Sequence, residues 1–344
     1  MAQYKNFIQK NVSYLDTKRI GIYNEQGNRI GFINFPLEAS STSSEYLKFP
    51  SYYKDKKKFS FGALSDVHIV YDTAADDFKR ALDYLNNEED VAFTCICGDL
   101  TDDGTAEQLA QYKTIVDSHS PDTPVYAIAG NHEAYNTQPT LLEQYTGKPL
   151  YYSFVYDKTM FIMCGCYSWT NDGIFTEEYL QWLYETLESN RDKYCFIFQH
   201  VMPFGDCGNP GGYYGFDMFS GTKGDTFLSL LRHYTNTVFF HGHSHTKFEL
   251  QSIDEKANYS NANGYRSIHI PSLAVPRDIV NDSLSNIYSA SEGYVVDVYP
   301  RYLHLRGRDF VKEEFLPIAS YWIPLALYSP AAGTYTDPNG IIKT

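Results

Sequence analysis

FSFGALSDVH (residues 59–68), DDFKRALDYLNN (76–87) and VAFTCICGD (91–99) decide the fold between them. The first and third are apolar runs of strand length, each closing on a carboxylate. Such uninterrupted runs belong to strands buried on both faces, as in parallel sheets. The middle stretch carries Phe78, Ala81, Leu82 and Leu85 at helical spacing. A second helix, AEQLAQYKTIVDS (106–118), and a third buried strand, PVYAIAGN (124–131), follow. Strand, helix, strand, helix, strand in that order predicts parallel pairing through right-handed crossovers, and so an α/β fold.

Downstream, YYSFVYD (151–157) and TMFIMCGCYS (159–168) read as a hairpin, and EEYLQWLYETLES (177–189) as a helix. YCFIFQH (194–200) and TVFFHGH (237–243) are two more buried strands. KFELQSI (247–253), YRSIHIPSL (265–273), GYVVDVY (293–299) and YLHLRG (302–307) read as strands. Upstream, RIGIY (19–23) and RIGFINF (29–35) flank NEQGN as a β-hairpin with Gly27 in its turn, and polar SSTSSE and KDKKK form a linker. The chain therefore divides into a small N-terminal β appendage with linker (1–58), a main domain (59–327) and a C-terminal tail (328–344).

Composition narrows the function. A formal net charge of −14 repels phosphate backbones at long range, which speaks against a broad nucleic-acid interface. A local metal centre reverses that field for a small phosphorylated ligand. Six cysteines include two C-x-C pairs, Cys95/Cys97 and Cys164/Cys166, in strand-like runs. Alternation puts each pair on one sheet face, where small buried thiols are expected rather than a metal site or a disulfide framework. Residues 1–14 lack the apolar core of a signal peptide, and no run of about 18 apolar residues occurs. The expectation is a cytoplasmic chain with no membrane contact.

Every central strand ends in a polar cluster: SDVH (65–68), GD (98–99), GNHE (130–133), QH (199–200) and GHSH (242–245). Open α/β sheets bind ligands at the carboxyl ends of their strands. Taken singly, each residue has a plain structural reading. Asp66 and His68 are two apart, so an extended backbone would aim both to one side. Asp99 could cap a following helix, Asn131 could be a left-handed turn residue, and His200 could be a satisfied core histidine. His243 and His245 repeat at two, and Gly242 before them permits a sharp turn. Together, five such accidents at five strand ends are far less economical than one shared metal site. Carboxylate, amide and imidazole donors suit Mn²⁺, Fe²⁺ or Zn²⁺. Seven side chains exceed what one ion with an open position needs, but suit two ions roughly 3.5–4 Å apart that stabilise attacking and leaving oxygens in an in-line displacement at phosphorus.

The series D-x-H, GD, GNHE, H and GH-x-H resembles the calcineurin-like metallophosphoesterases over residues 60–245, and the later PSL and RGRDF segments resemble members of that family too. The resemblance implies a four-layer α/β/β/α sandwich and a dinuclear centre hydrolysing a small phosphorylated molecule, mono- or diester, by attack of metal-bound hydroxide. It implies one metal held by Asp66, His68, Asp99 and His245, and a second held by Asp99, Asn131, His200 and His243, with Asp99 bridging. It makes His132 the group that stabilises developing charge or protonates the leaving oxygen, and Asp102 the acid that orients His132. Asp103 stands where the family's protein Ser/Thr phosphatases carry an Arg, and Asp102 where purple acid phosphatases carry a Tyr ligand. The stretch GDLTDDG is closer to cyclic nucleotide phosphodiesterases and assorted small-molecule phosphoesterases.

Substrate contacts are expected from the glycine-rich loop 204–225, with Tyr213 and Tyr214 able to stack on a base or sugar. Trp169 is a further candidate for stacking, and Arg277 a candidate phosphate contact. Glu133 reads as structural or as a helix N-terminal charge, and His241 as a residue behind the site. Two other classes stand beside the enzyme reading. One is a non-catalytic, metal-stabilised binding or scaffold protein, against which the retention of every motif residue argues. The other is a nuclease, against which the acidic charge argues.

Overall fold

A computed structural model describes residues 56–329 apart from 71–72, 136–138, 170–172, 204–205, 209–220, 252–257, 262 and 281–282. It also describes the backbone strands Ser13–Tyr14, Thr17–Tyr23, Arg29–Pro36, Tyr335–Thr336 and Ile342–Lys343. Phe59–Leu64, Thr94–Ile96 and Val125–Ala127 are parallel neighbours, as the alternating strand and helix signals predict. They form one end of a nine-stranded sheet continued by Glu292–Val298, Tyr302–Asp309 and Glu314–Pro324. The last three are antiparallel, because short turns join them and no crossover helix intervenes.

A second, six-stranded sheet holds Tyr151–Tyr156, Thr159–Cys164, Tyr194–Gln199, Thr237–His241, Ser267–His269 and Tyr259–Ser260 in that order. The predicted hairpin is present, with Tyr152 opposite Met163 and Phe154 opposite Phe161. The two sheets face one another across a core rich in phenylalanine, including Phe61, Phe93, Phe161, Phe196, Phe198 and Phe240. Helices Ala74–Asn87 and Ala106–His119 cover the outer face of the first sheet, burying Phe78, Ala81, Leu82, Leu85, Leu109 and Tyr112. Helices Glu177–Glu188 and Gly221–His233 cover the second through Tyr179, Leu183, Phe227 and Leu230. Three apolar interfaces thus separate four layers, α/β/β/α.

Both C-x-C pairs behave as alternation requires. Cys95 and Cys97 lie in the inter-sheet core, Cys164 and Cys166 in the outer one, and all six cysteines are free and buried. Upstream, Thr17–Tyr23 pairs antiparallel with Arg29–Pro36, which lies beside Glu314–Pro324 at the far end of the larger sheet. Its connecting residues, and the linker before residue 56, lie outside the described residues.

One predicted strand is not a strand. KFELQSI begins as a helical turn, Phe248–Gln251. Phe248 and Leu250 alternate as a strand would, but two apolar positions do not fix a period. The Phe248 N–H donates to the buried Glu292 carboxyl group at 2.7 Å, which starts the turn. No helix among the described residues is long and apolar enough to cross a membrane.

Candidate metal centre

The chain leaves the strand Phe59–Leu64 and turns at once. Asp66 and His68 have φ of 54° and 40°, so the D-x-H segment is not extended. Their side chains converge through two left-handed residues, not through strand alternation. Asp99, His243 and His245 share this conformation, at 50°, 76° and 59°. Left-handed backbone costs an L-residue about 1–2 kcal/mol, less for Asp and His than for β-branched types, so five such residues in one place mark a site held by its surroundings. Asp66 and Val67 N–H groups donate to the Gly98 and Asp99 carbonyls at 3.1 and 2.8 Å, locking one strand end to the next.

Two glycines make the approach possible. A Cβ on Gly242 would sit 2.0 Å from Ser65 Oγ and 2.6 Å from Asp66 Oδ2. One on Gly130 would sit 2.1 Å from Asp99 Oδ1. Gly242 is therefore needed for space rather than for a left-handed turn, since its φ is not positive.

The structure brings all seven candidate side chains together. Asp66, His68, Asp99 and His245 form one buried group, and Asp99, His200 and His243 a second, the ligand atoms within each lying inside 4.8 Å of one another. Asp99 belongs to both. Asn131 joins the second group, with Oδ1 2.8 Å from His243 Nδ1. Rather than adopting a left-handed turn, Asn131 opens the short helix Asn131–Ala134. Glu133 is buried inside the turn it caps, accepting from the N–H groups of Gly130 and Thr101 at 2.9 Å each.

Main-chain carbonyls set the imidazoles. His200 Nδ1 donates to the Cys97 carbonyl at 2.7 Å, so its Nε2 faces Asp99 Oδ2 at 2.9 Å. His245 Nδ1 donates to the Val275 carbonyl at 3.3 Å, so its Nε2 faces Asp66 Oδ1 at 3.1 Å. For His245 in its neutral tautomer this is a lone pair directed at a carboxylate oxygen, whereas His200 shares a proton with Asp99. Asp66 Oδ1 is fully buried and accepts no hydrogen bond. Acceptors converging on acceptors in a buried place require a cation between them, either protons or a metal.

Proton binding alone is poorly shared. Burial raises the Asp66 and Asp99 carboxyls, but the imidazoles outweigh it: His245 and His200 act on Asp66, and His200 and His132 on Asp99, holding both below the usual carboxylate range. Burial lowers His200, yet Asp99 and Asp66 carry it up to about 9. Burial and the neighbouring His200 take His243 down to about 3, and burial takes His245 down to about 4. The two carboxylates, His243 and His245 are therefore already in the deprotonated state that divalent ions bind, and an ion would displace the protons that neighbouring carboxylates favour on His200 and His68. The donor set fits metal.

His132 is one-fifth exposed at the edge of this cluster, its ring 4.6 Å from that of His68 and its Nε2 3.8 Å from Asp99 Oδ2. Its Nδ1 donates to the main-chain carbonyl of Asp102 at 2.6 Å. The Asp102 carboxylate is farther, 3.6 Å from that nitrogen, and approaches His68 Nδ1 at 3.3 Å. The orientation expected from the Asp102 carboxylate thus comes from its backbone, because the turn carries the carboxylate across to His68. Arg277 adjoins His245 by its main chain, N–H to carbonyl at 2.7 Å, while its side-chain Nε donates to Asn286. Tyr213 and Tyr214 lie outside the described residues, as does most of loop 204–225.

Tyr135 was not singled out by sequence reasoning. Its hydroxyl accepts from Asn131 Nδ2 at 2.9 Å, which turns Asn131 Oδ1 toward the cluster. The signal available was spacing: Tyr135 stands four residues after Asn131, on the same side of a helical turn.

The model of the calcineurin-like phosphoesterase family matches residues 59–247, more than half of the chain. No curated protein matches the chain in sequence. Among solved structures, GAP50, the anchor in the inner membrane complex of Plasmodium, is similar with a TM-score of 0.52 at 14% identity, covering 80% of this chain and 91% of that chain. A Streptococcus pneumoniae TIGR4 protein described as a predicted phosphoesterase has a TM-score of 0.36 at 10% identity, covering 77% and 97%. The first likeness is one of fold alone, and the second carries no argument. With four layers, a buried cluster of metal-ligand type at the strand ends and the family pattern across them, the chain belongs to the calcineurin-like phosphoesterase family.

Proposed function

We propose that the chain is a dinuclear metal-dependent phosphoesterase acting on a small phosphorylated molecule. The observation that carries this reading is the pair of ligand groups sharing Asp99. Asp66, His68, Asp99 and His245 would hold one divalent ion, and Asp99, Asn131, His200 and His243 the other. When bound, such a pair supplies Lewis acidity toward phosphoryl oxygens and lowers the pKa of water near neutrality. The chain's own residues do the rest. The left-handed turns fix the ligands before substrate arrives. His132 presents Nε2 to the departing oxygen while the Asp102 carbonyl holds Nδ1. As the bond from phosphorus to the leaving oxygen breaks and that to the attacking water oxygen forms, Nε2–H gives its proton to the leaving oxygen and the water gives one of its own to solvent. Arg277, Tyr213 and Tyr214 are proposed substrate contacts, and the cytoplasm the proposed location.

The GAP50 likeness offers a non-catalytic anchoring role as a second reading, at the level of fold only. The retained His132 beside a complete ligand set favours the enzyme. A panel of phosphate mono- and diesters, run on protein stripped with chelator and reloaded with Mn²⁺, Fe²⁺ or Zn²⁺, tests the two. Metal-dependent turnover of any ester supports the phosphoesterase. Full metal loading without turnover of any ester would leave the anchoring role.

A further inference from the structure

Beside the candidate centre the rings run outward in a row. The His132 ring lies 4.7 Å from that of Tyr135 at 55°, and the Tyr135 ring 5.9 Å from that of Trp169 at 72°. Tyr135 and Trp169 are 44% and 53% exposed, in a fold that buries most of its phenylalanines. Lone exposed aromatics are ordinary surface features. These two touch each other and lead from the group placed to protonate the leaving oxygen. Tyr135 is also fixed: its hydroxyl is engaged by the Asn131 amide, so the ring cannot swing away without freeing a candidate ligand.

On the phosphoesterase reading, we infer that Tyr135 and Trp169 form a wall receiving a planar aromatic ring on the leaving-group side of the substrate, either a simple aryl group or a nucleobase. A flat ring entering this corner meets one aromatic face and one aromatic edge, the stacked and edge-on geometries that aromatic pairs favour. Tyr135 is held before binding, so little ordering entropy is lost on contact with its ring. Deleting one stacking ring weakens binding by roughly 10- to 100-fold. Trp169 touches none of the seven candidate ligands in the contacts described, so its removal tests the wall without dismantling the centre.

The experiment is calorimetric titration of the Mn²⁺-loaded full chain with phosphonates, whose P–C bond does not hydrolyse. Phenylphosphonate and a nucleoside phosphonate are compared with methylphosphonate and phosphonocholine. The expected result is that at least one ring-bearing phosphonate binds about 10- to 100-fold tighter than methylphosphonate. Trp169→Ala closes that gap, and Trp169→Phe keeps most of it. Which ring gains more separates the aryl from the nucleobase source. A gap absent from the wild type, or surviving Trp169→Ala, overturns the wall. A preference for phosphonocholine over both rings also overturns it, in favour of a cation held by the aromatic corner. Failure of every phosphonate to bind the loaded protein would overturn the phosphoesterase reading, and this inference with it.

Discussion

The Nε2 atoms of His68 and His245 face each other across 3.1 Å, in a buried space that also holds Asp66 and Asp99. The contact joins the first strand end of the domain to a loop 177 residues later. With His245 Nδ1 committed to the Val275 carbonyl, its Nε2 brings a lone pair to the meeting point. A cation bound by both rings and both carboxylates resolves the contact, and metal content is accordingly the first quantity to measure.

Asp99 serves both ligand groups. Purified protein should carry up to two transition ions per chain, and Asp99→Ala should lose nearly all of both. Elemental analysis after gel filtration reads this directly. Occupancy equal to that of the wild type would remove Asp99 as the bridge.

His132 touches the cluster from its edge, where its ligand atom groups with those of His68 and Asp102 and not with the two sets that share Asp99. His132→Ala should keep its metal and lose roughly 10²–10⁴-fold in rate. The loss should be greater for alkyl phosphates, whose alkoxide needs a proton, than for nitrophenyl phosphate. Equal losses would mean that His132 stabilises phosphoryl charge instead, and loss of an ion would make it a ligand.

Asp102 separates two roles by geometry. Its carbonyl holds His132, whereas its carboxylate faces His68. Asp102→Ala retains the carbonyl. It should therefore weaken metal affinity by about 10- to 100-fold, as removal of a partner of a ligating histidine does. At saturating metal, its dependence on the leaving group should match the wild type. A dependence resembling that of His132→Ala would show that the carboxylate acts on His132.

Glu292 gives a pH dependence away from the site. Burial pushes its carboxyl from an ordinary 4.5 up to about 8. Between these values the folded chain keeps a proton that the unfolded chain has released, so stability falls as pH rises through the window. Glu292→Gln should flatten that slope and gain on the order of 1–3 kcal/mol at pH 8 relative to its effect at pH 5. Urea midpoints at the two pH values measure it. A slope unchanged by the substitution would show that Glu292 does not titrate in this range.

Much was legible in the chain itself, because burial and hydrogen bonding impose periodicity on sequence. The apolar runs ending at Leu64, Cys97 and Ala129 reveal buried parallel strands, and Phe78, Ala81, Leu82 and Leu85 a helix face. Strand ends gather at one edge of such a sheet, so the order of strands and helices alone groups Asp66, Asp99, Asn131, His200 and His243. What sequence could not give was how they converge. The left-handed backbone at Asp66, His68, Asp99, His243 and His245 is set by hydrogen bonds between strand ends, which leave no periodic trace. The carbonyls of Cys97, Val275 and Asp102 that aim three imidazoles are present on every residue, so no side-chain type announces them. The helical turn at Phe248 depends on Glu292, 44 residues away. Local pattern determined which residues meet; only the packing of distant segments decided which atom of each faces the centre and which neighbour holds it there.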